Sequence, residues 1–305
     1  MKSIIEDTFA EAFPMKAVRI IITALNLELA RKAAISMTGF ATSVIACGCE
    51  GGIEVELSEM ETPDNRPGVS VLLFSMSRGE LAKQLETRVG QCVLTCPTTS
   101  VFNGLDSGEE LNLAKNLRFF GDGWQISKVW NAKRYWRIPT MDGEFVGEEK
   151  ARWVKAIGGG NLIIIAESTD IALKISECGV KVIQNLPNVI TPFPGGIVRS
   201  GSKVGSKYKS LPASTNNKFC PALFGFTKDS KLPSDSSSVM EIVVDGLAEV
   251  DVEKAMSTAM AEMMKFRGKG LIQISAGNYG GKLGPYHFYL KKNFRERIRC
   301  RAILG

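Results

Sequence analysis

Twice along this chain the side-chain pattern runs strand, helix, strand, strand, helix, strand, and that order limits the folds open to it more than any other feature. In the first copy Val18–Thr23 is a β-branched strand. Asn26 can cap a helix with Leu29, Ala33 and Met37 on one face, and Gly39 closes it. Ser43–Cys47 reads as the next strand, and Val69–Ser75 follows a Pro/Gly break. Ser77 with Glu80 opens a second helix with Leu81, Leu85 and Val89 inward, and Cys92–Thr95 reads as the fourth strand. The second copy repeats this with strand Leu162–Ala166, a helix capped at Thr169, short strand Val189–Thr191 and strand Val239–Val244. A helix opened at Asp251 then carries Val252, Ala255, Met256, Ala259, Met260 and Met263 on one stripe, and strand Leu271–Ser275 closes the unit. Its methionines read as core filler.

This order predicts an α+β fold of two ferredoxin-like, split β-α-β lobes, each a sheet with helices on one face. Residues 1–148 form the first lobe, together with an inserted β-ribbon over Leu117–Pro139 that turns at Gly121-Asp122-Gly123 and near Asn131-Ala132. Residues 149–305 form the second lobe and end in an Arg-rich tail. A length of 305 residues suits two domains, and 44% apolar residues suffice for their cores. No long apolar run spans a membrane, and the start, MKSIIEDTFAEAF, lacks the basic-then-apolar order of a signal peptide. A soluble, cytoplasmic protein is expected.

Seven cysteines are an odd number, and neither Cys47-Gly-Cys49 nor Cys92 with Cys96 has the paired spacing of a zinc site. His287 is the single histidine and reads as structural. A net charge of +6 favours anionic partners, though part of the excess sits in the tail.

The longest irregular stretch, Pro192–Pro221, is dense in Gly, Ser, Pro and Lys, with Phe193, Tyr208 and Phe219 among them. It reads as a binding loop or as a flexible surface excursion. Strand Val239–Val244 follows it, and alternation puts Val239, Glu241 and Val243 on one face. Glu241 is thus a carboxylate among β-branched neighbours. One reading pairs it with Lys203, Lys207 or Lys282. The other holds it with a raised pKa as a proton donor. Gly196–Ser202 resembles a phosphate-binding P-loop but has Ser202 where the motif needs Lys, and there is no G-x-G-x-x-G. The ribbon interleaves aromatic and basic residues from Arg118 to Arg137, which invites an RNA-binding reading, yet neither lobe carries the aromatic RNA-recognition strand. No nucleic-acid partner is expected.

Several blocks, in order, resemble formylmethanofuran:tetrahydromethanopterin formyltransferases: EDTFAEAFPMKA, TGFATSVIACGCEGGIE, ETPDNRPGV, GQCVLTCPT, RFFGDG, PFPGGIVRSGSKVGSK, LPASTN and ISAGNYGGKLG. ACGCE and RSGSKVGSKYK look more like the form in methylotrophic bacteria, a subunit of the formyltransferase/hydrolase complex. The resemblance implies two ferredoxin-like lobes and formyl transfer between N5 of tetrahydromethanopterin and the primary amine of methanofuran or a related furan coenzyme. It implies no permanently bound cofactor or metal, and a homo-oligomer or the hydrolase complex as assembly. The family's acid lies on the strand before an N-G-L segment, which corresponds here to Glu241 ahead of Asp245-Gly-Leu. Candidate coenzyme contacts are Phe120, Gly121, Asp122 and Gly123, Gly195, Gly196, Ser200, Gly201, Ser202, Lys203 and Lys207, and Gly277 with Asn278. The Arg-rich end from Lys291 has no counterpart in that pattern.

Overall fold

The computed structural model describes residues 4–304, except for the side chains of Ser202 and of residues 298–304. The tail from Ile298 and Cys300 therefore lies largely outside the described side chains. The chain divides into two compact units, residues 15–156 and residues 1–14 with 157–305.

The first unit starts within β1 (Phe9–Thr23) and continues through α1 (Leu27–Thr38), the single turn α2 (Val44–Cys47), β2 (Glu50–Leu57), β3 (Gly68–Ser75), α3 (Arg78–Arg88), β4 (Ser100–Asn103) and β5 (Glu109–Asn112). It then forms β6 (Ile126–Trp130), β7 (Lys133–Thr140), β8 (Gly143–Glu148) and the start of β9 (Lys150–Ala166). β1 pairs antiparallel with β3 on one side and β4 on the other, and β2 pairs with β3, giving the order β2-β3-β1-β4. β8 adds parallel to β4, and β7 and β6 extend it antiparallel. Val18, Ile20, Ile22, Val71 and Leu73 meet Ala30, Ala33 and Met37 of α1 and Leu81 and Leu85 of α3 in one core. Asn26 caps α1 by accepting from Leu29 N–H at 2.9 Å, and Ser77 caps α3 by accepting from Glu80 N–H at 3.1 Å.

Three elements differ from the expected pattern. Ser43–Cys47 is a helical turn rather than a strand. Ser43 Oγ accepts from Ile45 N–H at 3.3 Å, Glu50 accepts from Val44 N–H at 3.0 Å, and Gly48 ends the turn at φ 73°. These local side-chain bonds outcompete the strand propensity of Val-Ile. Cys92–Thr95 is also not a strand. The helical path of α3 continues through Val89–Val93, whose valines both bury in the core, and the fourth strand is displaced to Ser100–Asn103. The ribbon begins later than expected. Leu117–Gly121 is a short helical turn, and the hairpin proper joins β6 to β7 through Asn131 at φ 47° and Ala132 at φ 60°.

The second unit adds α4 (Thr169–Ile183), β10 (Val189–Ile190), β11 (Ser202–Val204), β12 (Ala213–Thr215), β13 (Ser238–Gly246), α5 (Glu249–Met263), β14 (Leu271–Ser275), β15 (Tyr286–Tyr289) and α6 (Leu290–Leu304). Its sheet has the order β10-β13-β9-β14, every neighbour antiparallel, and β15 pairs with the first residues of β1. Ser168, one residue before the expected cap, accepts from Ile171 N–H at 3.3 Å. Helices α4 and α5 lie on one face and bury the expected stripe, Val252 to Met263, against Leu162, Ile164, Ile242 and Val244. The opposite face carries Ile163, Ile165 and Val239, covered by Phe219 and Leu232 from the long connection between β10 and β13. Among the described residues no helix is long and apolar enough to cross a membrane, and no cluster of three potential metal ligands occurs.

Candidate active site

Alternation along β13 sends Ile242 and Val244 toward the helices and leaves Glu241 on the face that the long connection covers. Glu241 stands opposite Ile163 of β9. On its other side the connection returns as a short bridge: Val198 N–H donates to the Glu241 carbonyl at 2.7 Å, and Glu241 N–H donates to the Val198 carbonyl at 2.9 Å. The chain after Val198 then rises over the side chain. Val198, Ser200, Gly201, Asn216, Phe219 and Glu241 are among the residues that line a cavity of about 90 Å³.

The Glu241 carboxyl has neither a hydrogen bond nor an ion pair among the described residues. The residue is half-buried, and burial alone pushes its pKa up to about 7. At neutral pH a carboxyl of that pKa is divided between its acid and carboxylate forms. The lysine partners open to it on sequence grounds are not used. Lys203 Nζ donates instead to Asn217 Oδ1, and Lys207 is exposed.

A second glycine-rich loop starts after Ser275, which pairs with Ile163 of β9, the residue that also stands opposite Glu241. Burial first, and then the charges of Glu241 and Glu11, push the pKa of the Tyr279 phenol up. The loop is clamped from beneath. Gly277 N–H donates to Asn161 Oδ1 at 2.7 Å, and the Asn278 amide donates to Thr8 Oγ1 and the Phe9 carbonyl, both at 3.1 Å. Glu11, only 1% exposed, accepts four backbone N–H groups from the loop. Burial alone would raise its pKa, but the bonds from Gly284, Tyr279, Leu283 and Gly281 together outweigh that and lower it.

The other sequence-nominated residues take different places. Ser200 and Gly201 line the cavity with Glu241. Gly195 and Gly196 turn the chain at φ 65° and 75°, and Gly196 is buried against α4, where an added Cβ would lie 2.6 Å from Val180 Cγ1. Ser202 pairs with Thr215 through its main chain. Phe120, Gly121, Asp122 and Gly123 belong to the first unit, with Phe120 exposed, Asp122 at φ 48° and Gly123 N–H donating to Gln125 Oε1 at 2.9 Å. His287 packs against Phe9, with ring centroids 4.8 Å apart and planes tilted by 42°, and bonds the Gly284 carbonyl at 3.1 Å, a structural role. Glu11, Asn161 and Tyr279 were not singled out by sequence. An acid inside the apolar alternation Phe9-Ala-Glu-Ala-Phe13 was the available signal for Glu11.

The architecture is an α+β fold with a large mixed sheet, and comparison with known proteins gives it a family. Residues 2–140 match the model of formylmethanofuran-tetrahydromethanopterin formyltransferase, and residues 143–293 match the model of its proximal lobe. The chain belongs to the formylmethanofuran-tetrahydromethanopterin formyltransferase family. A relative of that name from Methylobacillus flagellatus is 60% identical over 293 residues, covering 94% of this chain and 97% of its own. The solved formyltransferase/hydrolase complex of Methylorubrum extorquens with methylofuran contains a chain 46% identical, with a TM-score of 0.92 over 95% of this chain and 96% of that one. The formyltransferase of Methanosarcina barkeri is 45% identical, with a TM-score of 0.90 over 95% of this chain and 98% of its own.

Proposed function

We propose that this chain moves a formyl group between N5 of tetrahydromethanopterin and the primary amine of methanofuran or methylofuran, with Glu241 as its acid. The observation that carries the assignment of Glu241 is its solitary carboxyl on the wall of a loop-lined cavity, in a chain of this family. The neutral amine attacks the formyl carbon, a new C–N bond forms, and the carbonyl oxygen takes the negative charge. Protonated Glu241 donates a hydrogen bond to that oxygen as the charge develops. When the tetrahedral centre collapses, the bond to the departing nitrogen breaks, that nitrogen gains a proton, and the attacking amine loses one. Holding two extended coenzymes in register contributes as much as the acid. Ser200 and Gly201, which line the cavity with the acid, together with Lys203, Lys207 and the loop at Gly277 and Asn278, are proposed coenzyme contacts. Ser202 and the Phe120–Gly123 turn of the first unit are further proposed contacts, and a net charge of +6 suits anionic substrates.

Each unit is read as one ferredoxin-like lobe. The strand orders β2-β3-β1-β4 and β10-β13-β9-β14, each with its two helices on one face, support this. The lobes are taken to follow the two units, residues 15–156 and residues 1–14 with 157–305, whereas the sequence pattern alone puts the boundary between 148 and 149. Assembly is proposed as a homo-oligomer, or with hydrolase subunits as in the complex from Methylorubrum extorquens, in the cytoplasm.

The test mixes purified protein with formyl-tetrahydromethanopterin and a furan amine coenzyme and follows pterin absorbance. A protein-dependent loss of the formylated pterin with matching formation of the furan formamide is expected. An unchanged spectrum over many hours would overturn the assignment, and inactivity with retained binding to hydrolase subunits would instead indicate a non-catalytic subunit.

A further inference from the structure

We infer that Glu11 is a positioning residue for formyl transfer, acting through Tyr279, which its buried carboxylate holds beside Glu241. This deepens the reading of Glu241 as the acid and rests on it. The geometry is that of a filled anion nest. Glu11 Oε1 accepts from Leu283 and Gly284 N–H, both at 2.6 Å, and Oε2 accepts from Tyr279 at 2.7 Å and Gly281 at 2.8 Å. Successive main-chain N–H groups that converge in this way form a concavity that takes an anion, and here the chain supplies its own.

The main chain itself makes the nest possible. Gly280 and Gly281 stand at φ 73° and 70°, which lets the loop curl its N–H groups inward. At Gly284 an added Cβ would lie 2.3 Å from the Ala12 carbonyl, so the loop closes directly onto the strand that bears Glu11. Of the four donors, Tyr279 is the one that carries a polar side chain. The loop starts directly after Ser275, which pairs with Ile163 of β9 on the side opposite Glu241, and the charged neighbours of the phenol are Glu241 and Glu11. Tyr279 therefore links the nest to the charge at the acid, and Glu11 sets where its main chain sits. A carboxylate accepts all four N–H groups, whereas an amide at the same place accepts through one atom and turns a donor toward the others.

The experiment is a double-mutant cycle of Glu11→Gln, Tyr279→Phe and both together, in the coenzyme assay with kcat and KM measured separately. Each single change should lower kcat about tenfold or more, and the double variant should fall no further than the worse single one, because the two residues act as a unit. Thermal midpoints and near-ultraviolet circular dichroism monitor folding, and Tyr279→Phe, which leaves the nest intact, keeps the inference testable where Glu11→Gln folds poorly. Kinetic effects that simply multiply would overturn it, as would Tyr279→Phe or a folded Glu11→Gln with wild-type kcat. Wild-type protein without transfer activity would instead overturn the proposed function.

Discussion

Val198 and Glu241 exchange two main-chain hydrogen bonds, at 2.7 and 2.9 Å, and so lock the long connection to the strand residue whose side chain it covers. The bridge fixes both the covering and the acid beneath it. Burial therefore falls on a carboxyl that has no ion pair among the described residues, although Arg199 lines the same cavity.

Glu241→Gln should lower kcat roughly 100-fold or more, the usual loss when one donor to a developing oxyanion is removed. KM should change little by comparison. Steady-state kinetics with both coenzymes varied check this, and near wild-type kcat would remove Glu241 from the chemistry.

The same carboxyl should impose a pH limb. With the acid form active and the pKa near 7, kcat should fall as pH rises above about 7, by up to tenfold per unit. Glu241→Gln should flatten that limb. Lys203→Ala should leave its midpoint where it is, since Lys203 is held by Asn217 and not by the acid. A pH–rate series on the three proteins decides it.

Stability carries the opposite face of this shift. A carboxyl whose folded pKa lies above its unfolded value of 4.5 stabilises the fold at acid pH, and that contribution is lost as pH rises from about 4.5 through about 7. Glu241→Gln should therefore be more stable than the parent at pH 8, on the order of 2 kcal/mol after allowing for the side chain's residual exposure. Denaturant unfolding at pH 5 and pH 8 measures the difference.

Gly196→Ala should destabilise the fold by about 1–3 kcal/mol, because a Cβ would meet Val180 at 2.6 Å and the residue stands at φ 75°. The displaced loop carries Ser200 and Gly201, so kcat/KM should fall as well. Thermal unfolding paired with kinetics tests both halves.

Arg88→Ala should cost stability and spare kcat. Its guanidinium donates to the carbonyls of Met37 at 2.7 Å, Gly39 at 2.8 Å and Phe40 at 3.0 Å, closing the end of α1. Loss of these charged bonds should cost about 2 kcal/mol, read as a lower unfolding midpoint with unchanged turnover.

What the amino-acid order determined was local. The stripe from Val252 to Met263, the caps at Asn26 and Ser77, and the alternation that puts Glu241 beside Val239 and Val243 all depend on neighbours within a few residues, and each is legible as written. Local reading failed where two local forces competed, as at Ser43–Cys47, where a capping hydroxyl and the Glu50 carboxylate overruled β-branched propensity. The surroundings of the acid were decided only by tertiary structure. Whether a lysine reached Glu241 depended on where the long connection came to rest. The nest that Glu11 fills joins residues 268 to 273 positions apart. Such contacts leave no period in a sequence, because a carboxylate's protonation and partners are set by whichever segments the fold returns to it.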